Sequence, residues 1–287
     1  MSSPDEVGSA IAGTLVRIGE GRPLVHGIVN QVVIAGVADA IRAIGAVPVM
    51  ASDPEESADM AAQANAIVAN TGTPDPRRFD AMLAAGRVAN QHAIPVVLDP
   101  AGIGSTSWRT DNIARLLRDI RFSAIRGNRS EIAALVRQTA RNHGLQDPSA
   151  SMVGPVRGIE ATGSSDEALL IKVAAAARER TGAVVCISGQ TDIVAGRQIK
   201  LCRNGHPLMG EVVGTGCILS AVIACFLAVE PDADQAVVQA VVTYGLAGEA
   251  AARNAPGPGT FRPALIDALA AIGRERTARG ALLEVLP

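Results

Sequence analysis

The sequence predicts an α/β fold, a three-layer arrangement in which a central, mostly parallel sheet is flanked by helices. Three observations lead there. Short apolar runs rich in β-branched residues alternate with longer stretches of helical periodicity through the first half of the chain. Parallel strands need crossovers of that kind. Hydrophobic residues make up 48% of the 287 and aromatic residues only 2%, so the core must be built from Ala, Val, Ile and Leu. That composition suits buried parallel strands under Ala-rich helices. Turn residues cluster at strand exits, as "NTGT", "DPAGIGST", "RGN" and "SGQTD". Ligands of open α/β sheets bind beyond the carboxyl ends of strands.

The elements follow in order. "PLVHGI" reads as a first strand, and "VVIAGVADAIRAIG" as a helix that Gly45 can end. "AVPVMA" is a second strand. "DPEESADMAAQA" is a helix with Asp53 as N-cap, Pro54 at the first position and an acidic first turn. "AIVAN" is a strand, and residues 76–91 a helix. "AIPVVLDP" is a buried strand, "TDNIARLLRDI" a helix and "FSAIRGN" a strand. Residues 138–164 are polar and rich in Gly, Pro and Ser, which predicts an exposed, flexible loop. "DEALLIKVAAAARERTG" is a helix stopped by Gly182. "AVVCIS", "DIVAG" and "RQIKLC" are strands, the last two joined by a tight turn near Gly196. Helices are expected near 216–229, 232–254 and 261–279. No internal repeat and no linker is evident, so residues 1–287 are expected to form one domain.

Composition excludes several function classes. A net charge of −2 with no long basic run lacks the electrostatic footprint of a nucleic-acid binder. The scarcity of aromatics removes the platforms on which such proteins stack bases. The apolar run Cys217–Val229 is shorter than the roughly 20 residues a bilayer requires. The first residues lack the basic-then-apolar pattern of a signal peptide. Cys186, Cys202, Cys217 and Cys225 lie 16, 15 and 8 apart, which matches no zinc pattern, so reduced thiols in a cytoplasmic protein are expected. His26 and His206 lie near turns and read as structural histidines.

The familiar nucleotide motifs are missing. There is no G-x-x-x-x-G-K-[ST], and no G-x-G-x-x-G after the first strand. H-E-x-x-H and G-x-S-x-G are also absent. What remains is Gly214-Thr215-Gly216-Cys217, directly before an apolar helix. Its glycines and the helix N-terminus together form an anion cradle suited to a phosphate in transfer. Cys217 would lie in the first turn, where that field favours thiolate. The same residues also describe a plain glycine turn followed by a small core residue.

Two further clusters carry chemistry. In "RGNRSEI", Asn128 and Glu131 are three apart at a helix start. They could hold a hydrated Mg²⁺, which takes few protein ligands, or form a capping box, and the two roles are compatible. Arg126 could pair with nucleotide phosphates. Asp99, in "VVLDPAGIGST", ends a buried strand where a carboxylate could face metal or water, or could bond its own turn.

Taken together, "VHGIVNQVV", "GAVPVMA", "NTGT", "PVVLDPAGIGST", "IRGNRSEIAAL", "GAVVCISGQTDIV", "NGHPLMGEVVGTGCILSAV" and "GPGTF" resemble the hydroxyethylthiazole kinase family of ribokinase-like small-molecule kinases. The matching stretches run from about residue 20 to 270. Cysteine after Gly-Thr-Gly, where the wider superfamily has aspartate, resembles the thiazole kinases in particular. The resemblance implies that Met50, Asn30 and the Gly214 backbone contact the thiazole. It implies that Arg126 and Ser188 bind ATP, with Asn128 beside them, and that Asp99 and Glu131 lie near Mg²⁺. Cys217 takes the place of the general base. A homotrimer with active sites at subunit interfaces is also implied.

The implied reaction is ATP- and Mg²⁺-dependent phosphorylation of the primary alcohol of 4-methyl-5-(2-hydroxyethyl)thiazole, a salvage step towards thiamine diphosphate. Two alternatives are a kinase of the same fold for another heterocyclic alcohol, such as a hydroxymethylpyrimidine, and a non-catalytic nucleotide-binding trimer. Val29 and Gln31 depart from the family pattern on either side of Asn30, and Ser188 replaces a threonine while keeping its hydroxyl.

Overall fold

A computed structural model describes residues 4–143, 166–275 and 280–286. The strands are β1 (Leu24–Ile28), β2 (Val47–Val49), β3 (Ala66–Asn70), β4 (Val96–Asp99), β5 (Ala124–Asn128), β6 (Val184–Ser188), β7 (Asp192–Ala195), β8 (Ile199–Cys202) and β9 (Leu283–Val285). They form one sheet in the order β2-β1-β3-β4-β5-β6-β7-β8-β9. The pairings from β2 through β6 are parallel, and those from β6 through β9 antiparallel.

Eleven helices appear among the described residues: α1 (Pro4–Gly21), α2 (Ile34–Ala43), α3 (Pro54–Gln63), α4 (Pro76–Gln91), α5 (Ser107–Asp119), α6 (Arg129–His143), α7 (Glu167–Thr181), α8 (Leu208–Glu211), α9 (Thr215–Leu227), α10 (Ala233–Asn254) and α11 (Pro258–Glu275). Side-chain alternation along the strands sorts them into two layers. Ala66 and Val68 of β3 join a core with α1, α2, α9, α10 and α11. Ile67 and Ala69 join the opposite core with α3, α4, α5, α6 and α7. The result is the expected three-layer α/β architecture.

Local chemistry explains most boundaries. Asp53 and Asp75 cap α3 and α4 through their side chains, each followed by Pro at the first position. Gly182 ends α7 in the left-handed region, at φ +72°. Helices α1 and α8 and strand β9 are not among the elements expected above, and boundaries differ as well. α5 begins at Ser107 rather than Thr110, because Thr106 caps it by accepting from the Arg109 N–H at 3.2 Å. α6 continues to His143, so the first residues of the loop expected over 138–164 are helical, and the rest lies outside the described residues. The last helix starts at Pro258, and the end of the stretch expected up to residue 279 is likewise outside them.

α9 decides where the site lies. It is apolar and buried nearly all round, as a helix in the middle of a core must be. It packs against β1, β3, β4 and β5, and its N-terminus opens at their carboxyl ends.

Candidate active site

Five neighbouring parallel strands each deliver a polar residue to one end of the sheet. Asn30 lies two residues past β1, and Asn70, Asp99, Asn128 and Ser188 are the last residues of β3, β4, β5 and β6. Asn70 is in register with Asp99, and Asn128 with Ser188. The apolar run of each strand fixes the depth of its last residue.

The N-terminus of α9 faces this row. Gly214 is its N-cap, at φ +93°, and a Cβ there would collide with Val33. Only glycine fits both constraints. No side chain caps α9. The Ile218 N–H bonds the Gly214 carbonyl at 3.0 Å, and among the described residues the N–H groups of Gly216 and Cys217 have no backbone acceptor. Those donors and the helix dipole remain available to an anion. The turn itself is pinned. Tyr244 donates its hydroxyl to the Thr215 carbonyl at 2.7 Å, and the Thr215 hydroxyl donates to the Met209 carbonyl at 2.6 Å.

Arg126, on β5, brings a buried cation to the cradle. Its guanidinium fills the space a Cβ on Gly216 would need, and it donates to the Ser188 hydroxyl. Its Nη1 lies 3.8 Å from Asp99, whose Oδ2 also accepts from the Ser220 hydroxyl at 3.0 Å. Burial works against the Arg126 charge, and the Asp99 and Glu131 carboxylates outweigh it and hold the guanidinium protonated. Its Nε is buried without a partner among the described residues.

Asn128 and Glu131 do form a capping box. Glu131 Oε2 accepts from the Asn128 N–H at 2.8 Å, and Asn128 Oδ1 accepts from the Glu131 N–H at 3.0 Å. Glu131 Oε1 accepts from the Gly102 N–H at 2.9 Å. Burial, with the Asp99 charge second, pushes the Glu131 carboxyl up to about 7. Two carboxylates repelling each other in a buried site are what a hydrated divalent cation would relieve. Each Glu131 oxygen carries one N–H bond and keeps a lone pair for a metal-bound water. Among the described residues no three acidic, His or Cys side chains converge on a preformed metal site.

Cys217 is half-buried, whereas the other three cysteines are buried. Burial, with the Asp99 charge second, pushes its thiol up to about 12, against the pull of Arg126. The thiolate expected at this helix N-terminus is therefore not the resting form. A helix dipole contributes roughly 0.3–1 kcal/mol, whereas desolvation can move a pKa by about 3–5 units.

Met50 lies just beyond β2 and packs on Gly27, whose Cβ would fall 2.9 Å from the Met50 Cε. It borders the same apolar core as Val33 and Cys217. Three residues absent from the sequence-based set support the site. Asn70 bonds Cys217 Sγ at 3.3 Å. Arg109 donates to the Ala101 carbonyl at 2.7 Å and packs over Gly102, at φ +75°, fixing the loop that holds Glu131. Arg78 is buried against the loops after β1 and β3. Only Asn70, within "NTGT" at a strand exit, carried a local signal.

The model of the hydroxyethylthiazole kinase family matches residues 15–275. The chain belongs to the hydroxyethylthiazole kinase family. It is 44% identical over 263 residues to a hydroxyethylthiazole kinase of Rubrobacter xylanophilus, covering 91% of this chain and 92% of that one. The solved hydroxyethylthiazole kinase of Pyrococcus horikoshii superposes with a TM-score of 0.83 at 32% identity, covering 97% of this chain and all of the other. A ribokinase-like superfamily protein from Enterococcus faecalis, with a TM-score of 0.60 and 14% identity, shares the fold alone. As a hydroxyethylthiazole kinase family member, the chain keeps its polar row and glycine cradle on a ribokinase-like sheet.

Proposed function

We propose that this protein transfers the γ-phosphoryl group of ATP, with Mg²⁺, to the primary alcohol of 4-methyl-5-(2-hydroxyethyl)thiazole, a salvage step towards thiamine diphosphate. The observation that carries this reading is the convergence of the uncapped Gly214–Cys217 turn with the buried Arg126 guanidinium at one end of the sheet. Fixed N–H donors beside a cation are preorganised for the charge that spreads over a phosphoryl group in transfer. The R. xylanophilus and P. horikoshii relatives bear the name of that reaction.

The chain's own residues divide the work. Arg126 and the hydroxyl of Ser188 hold the nucleotide phosphates, with Asn128 beside them. Asp99 and Glu131 would hold Mg²⁺ through its waters, and the metal would neutralise charge on the phosphates. Gly214 to Cys217 cradle the group in transfer. Asn30, Met50 and the Gly214 backbone seat the thiazole, with its hydroxyl beside Cys217. Phosphoryl transfer is loose, so placement and field outweigh a strong base, and a protonated thiol is tolerable in that position. The whole chain, 1–287, serves as one kinase domain in the cytoplasm.

A homotrimer with shared sites belongs to this proposal. Val32, Ile34 and Val213 are exposed at 60%, 37% and 57%, and Val33 touches Gly214 between them. Apolar side chains at the mouth of a substrate site suit coverage by a second copy. Sedimentation equilibrium tests the assembly. A coupled ADP-release assay against hydroxyethyl and hydroxymethyl heterocycles tests the reaction. The thiazole alcohol is expected to give the highest kcat/KM. ADP release that no alcohol stimulates would point to a nucleotide-binding protein without kinase chemistry.

A further inference from the structure

Asn30 and Asn70 surround the sulfur of Cys217 in an arrangement whose orientation can be worked out from their other partners. Asn30 Oδ1 accepts from the Val32 N–H at 3.1 Å. Asn70 Oδ1 accepts from the Gly72 N–H at 3.0 Å and from Asn30 Nδ2 at 2.9 Å. A backbone N–H can only donate, so these bonds fix which end of each amide is oxygen. Both NH₂ groups must then face Cys217, at 3.4 Å for Asn30 and 3.3 Å for Asn70. The two hydrogens of Asn30 Nδ2 are both used, one on Asn70 Oδ1 and one on Sγ.

The loops after β1 and β3, beside the two amides, are themselves clamped. Arg78 donates Nη1 to the Val29 carbonyl at 3.0 Å, and Nη2 to the Gly72 carbonyl at 3.1 Å and the Thr73 hydroxyl at 3.1 Å. A Cβ on Gly72 would fall 2.9 Å from Asn30 Cβ and Nδ2, so the glycine lets the two loops close on each other.

A thiol sulfur has two lone pairs and one hydrogen. Here two amide donors lie within hydrogen-bond distance of the sulfur, and among the described residues no acceptor takes the hydrogen. We propose that Asn70 is a positioning residue for Cys217. With Asn30 it forms an amide pair that holds the sulfur as acceptor and turns the thiol hydrogen towards the acceptor alcohol. This rests on the kinase reading above. It goes beyond that reading by giving Asn70 a role and by making the thiol a donor that orients the hydroxyl oxygen for attack, while the hydroxyl's own proton passes to an oxygen of the phosphoryl group being transferred.

The test has two arms. The first needs no substrate. The S–H stretch of Cys217 in the infrared spectrum, assigned by its loss in Cys217→Ala, should shift in Asn70→Ala and in Asn70→Leu, which retains more volume if the alanine variant folds poorly. A band that stays in place in the folded variant overturns the proposal, whatever the substrate proves to be. The second arm is a double-mutant cycle in the full-length enzyme. Asn70→Ala should lower kcat by about tenfold with KM for ATP unchanged, and by less than about twofold when Cys217 is already alanine. Equal losses in both backgrounds would make Asn70 merely structural and overturn the proposal. Failure of every alcohol in the activity assay, with the band shifted, would count against the kinase reading and leave the amide–sulfur geometry in place.

Discussion

The guanidinium of Arg126 occupies the volume that a side chain on Gly216 would need. Residues 90 positions apart in the chain thus share one space, and it is the space where the cradle meets its cation. Gly216→Ala should push Arg126 away from Ser188 and Asp99. Alanine is favoured over glycine in a helix by about 1 kcal/mol, which offsets part of the displacement. The expected outcome is a rise of about tenfold or more in KM for ATP with Tm changed by no more than about 3 °C. Steady-state kinetics beside calorimetry checks it.

Cys217→Ala should retain part of the rate, since the thiol is protonated at rest and acts beside a preformed cradle. A loss of about 10- to 100-fold in kcat is expected, the size of a lost orienting contact beside an intact cradle. Glu131→Gln should cost more, because it removes a charge that would face the metal while nearly preserving shape. Parallel kcat measurements at saturating ATP and Mg²⁺ rank the two, and a wholly inactive Cys217→Ala with an intact fold would refute the secondary role given to the thiol.

Tyr244→Phe removes the one hydroxyl that holds the Thr215 carbonyl, a bond of 2.7 Å in a buried setting. The carbonyl keeps its helical partner in α9, so the loss is that of one buried hydrogen bond, about 0.5–1.5 kcal/mol. Urea unfolding should show a loss of that size, with a smaller fall in kcat as the glycine turn loosens.

His26 is fully buried, and its Nε2 lies 2.6 Å from the Ala51 carbonyl. Burial is the largest influence on it and lowers its pKa below the ordinary 6.5. The folded chain therefore keeps it neutral where the unfolded chain takes up a proton, so this residue makes stability fall as pH drops below about 6.5. His26→Gln should flatten the decline in Tm between about pH 7.5 and 5.5 relative to the unaltered protein. An identical decline in both would show that other groups govern it.

The layers and most strands are legible in the sequence because their signals are local. "AIVAN" is apolar up to its last residue, Asn70, and is buried throughout as β3. Asp75 and Pro76 mark the start of α4 by side-chain and backbone chemistry alone. The N-terminal helix α1, not among the expected elements, is nonetheless written in the spacing of Val7, Ile11, Leu15 and Ile18, all buried. β9 is three residues long and gains its identity only by pairing with β8. The site divides in the same way. Gly214, Glu131 and Asp99 sit in short motifs whose chemistry is readable in place. The partner of Asn70 lies 147 residues away, and the protonation of Cys217 depends on burial that a helix start does not reveal.

The most direct test of the central claim follows the transferred atoms. The protein would be incubated with Mg²⁺, ATP carrying an isotopic label in its γ-phosphoryl oxygens, and 4-methyl-5-(2-hydroxyethyl)thiazole, and the products read by mass spectrometry. The account predicts a thiazole phosphate ester carrying the label in equal amount to the ADP formed. Label recovered only as inorganic phosphate, or only on a hydroxymethylpyrimidine supplied in competition, would contradict it.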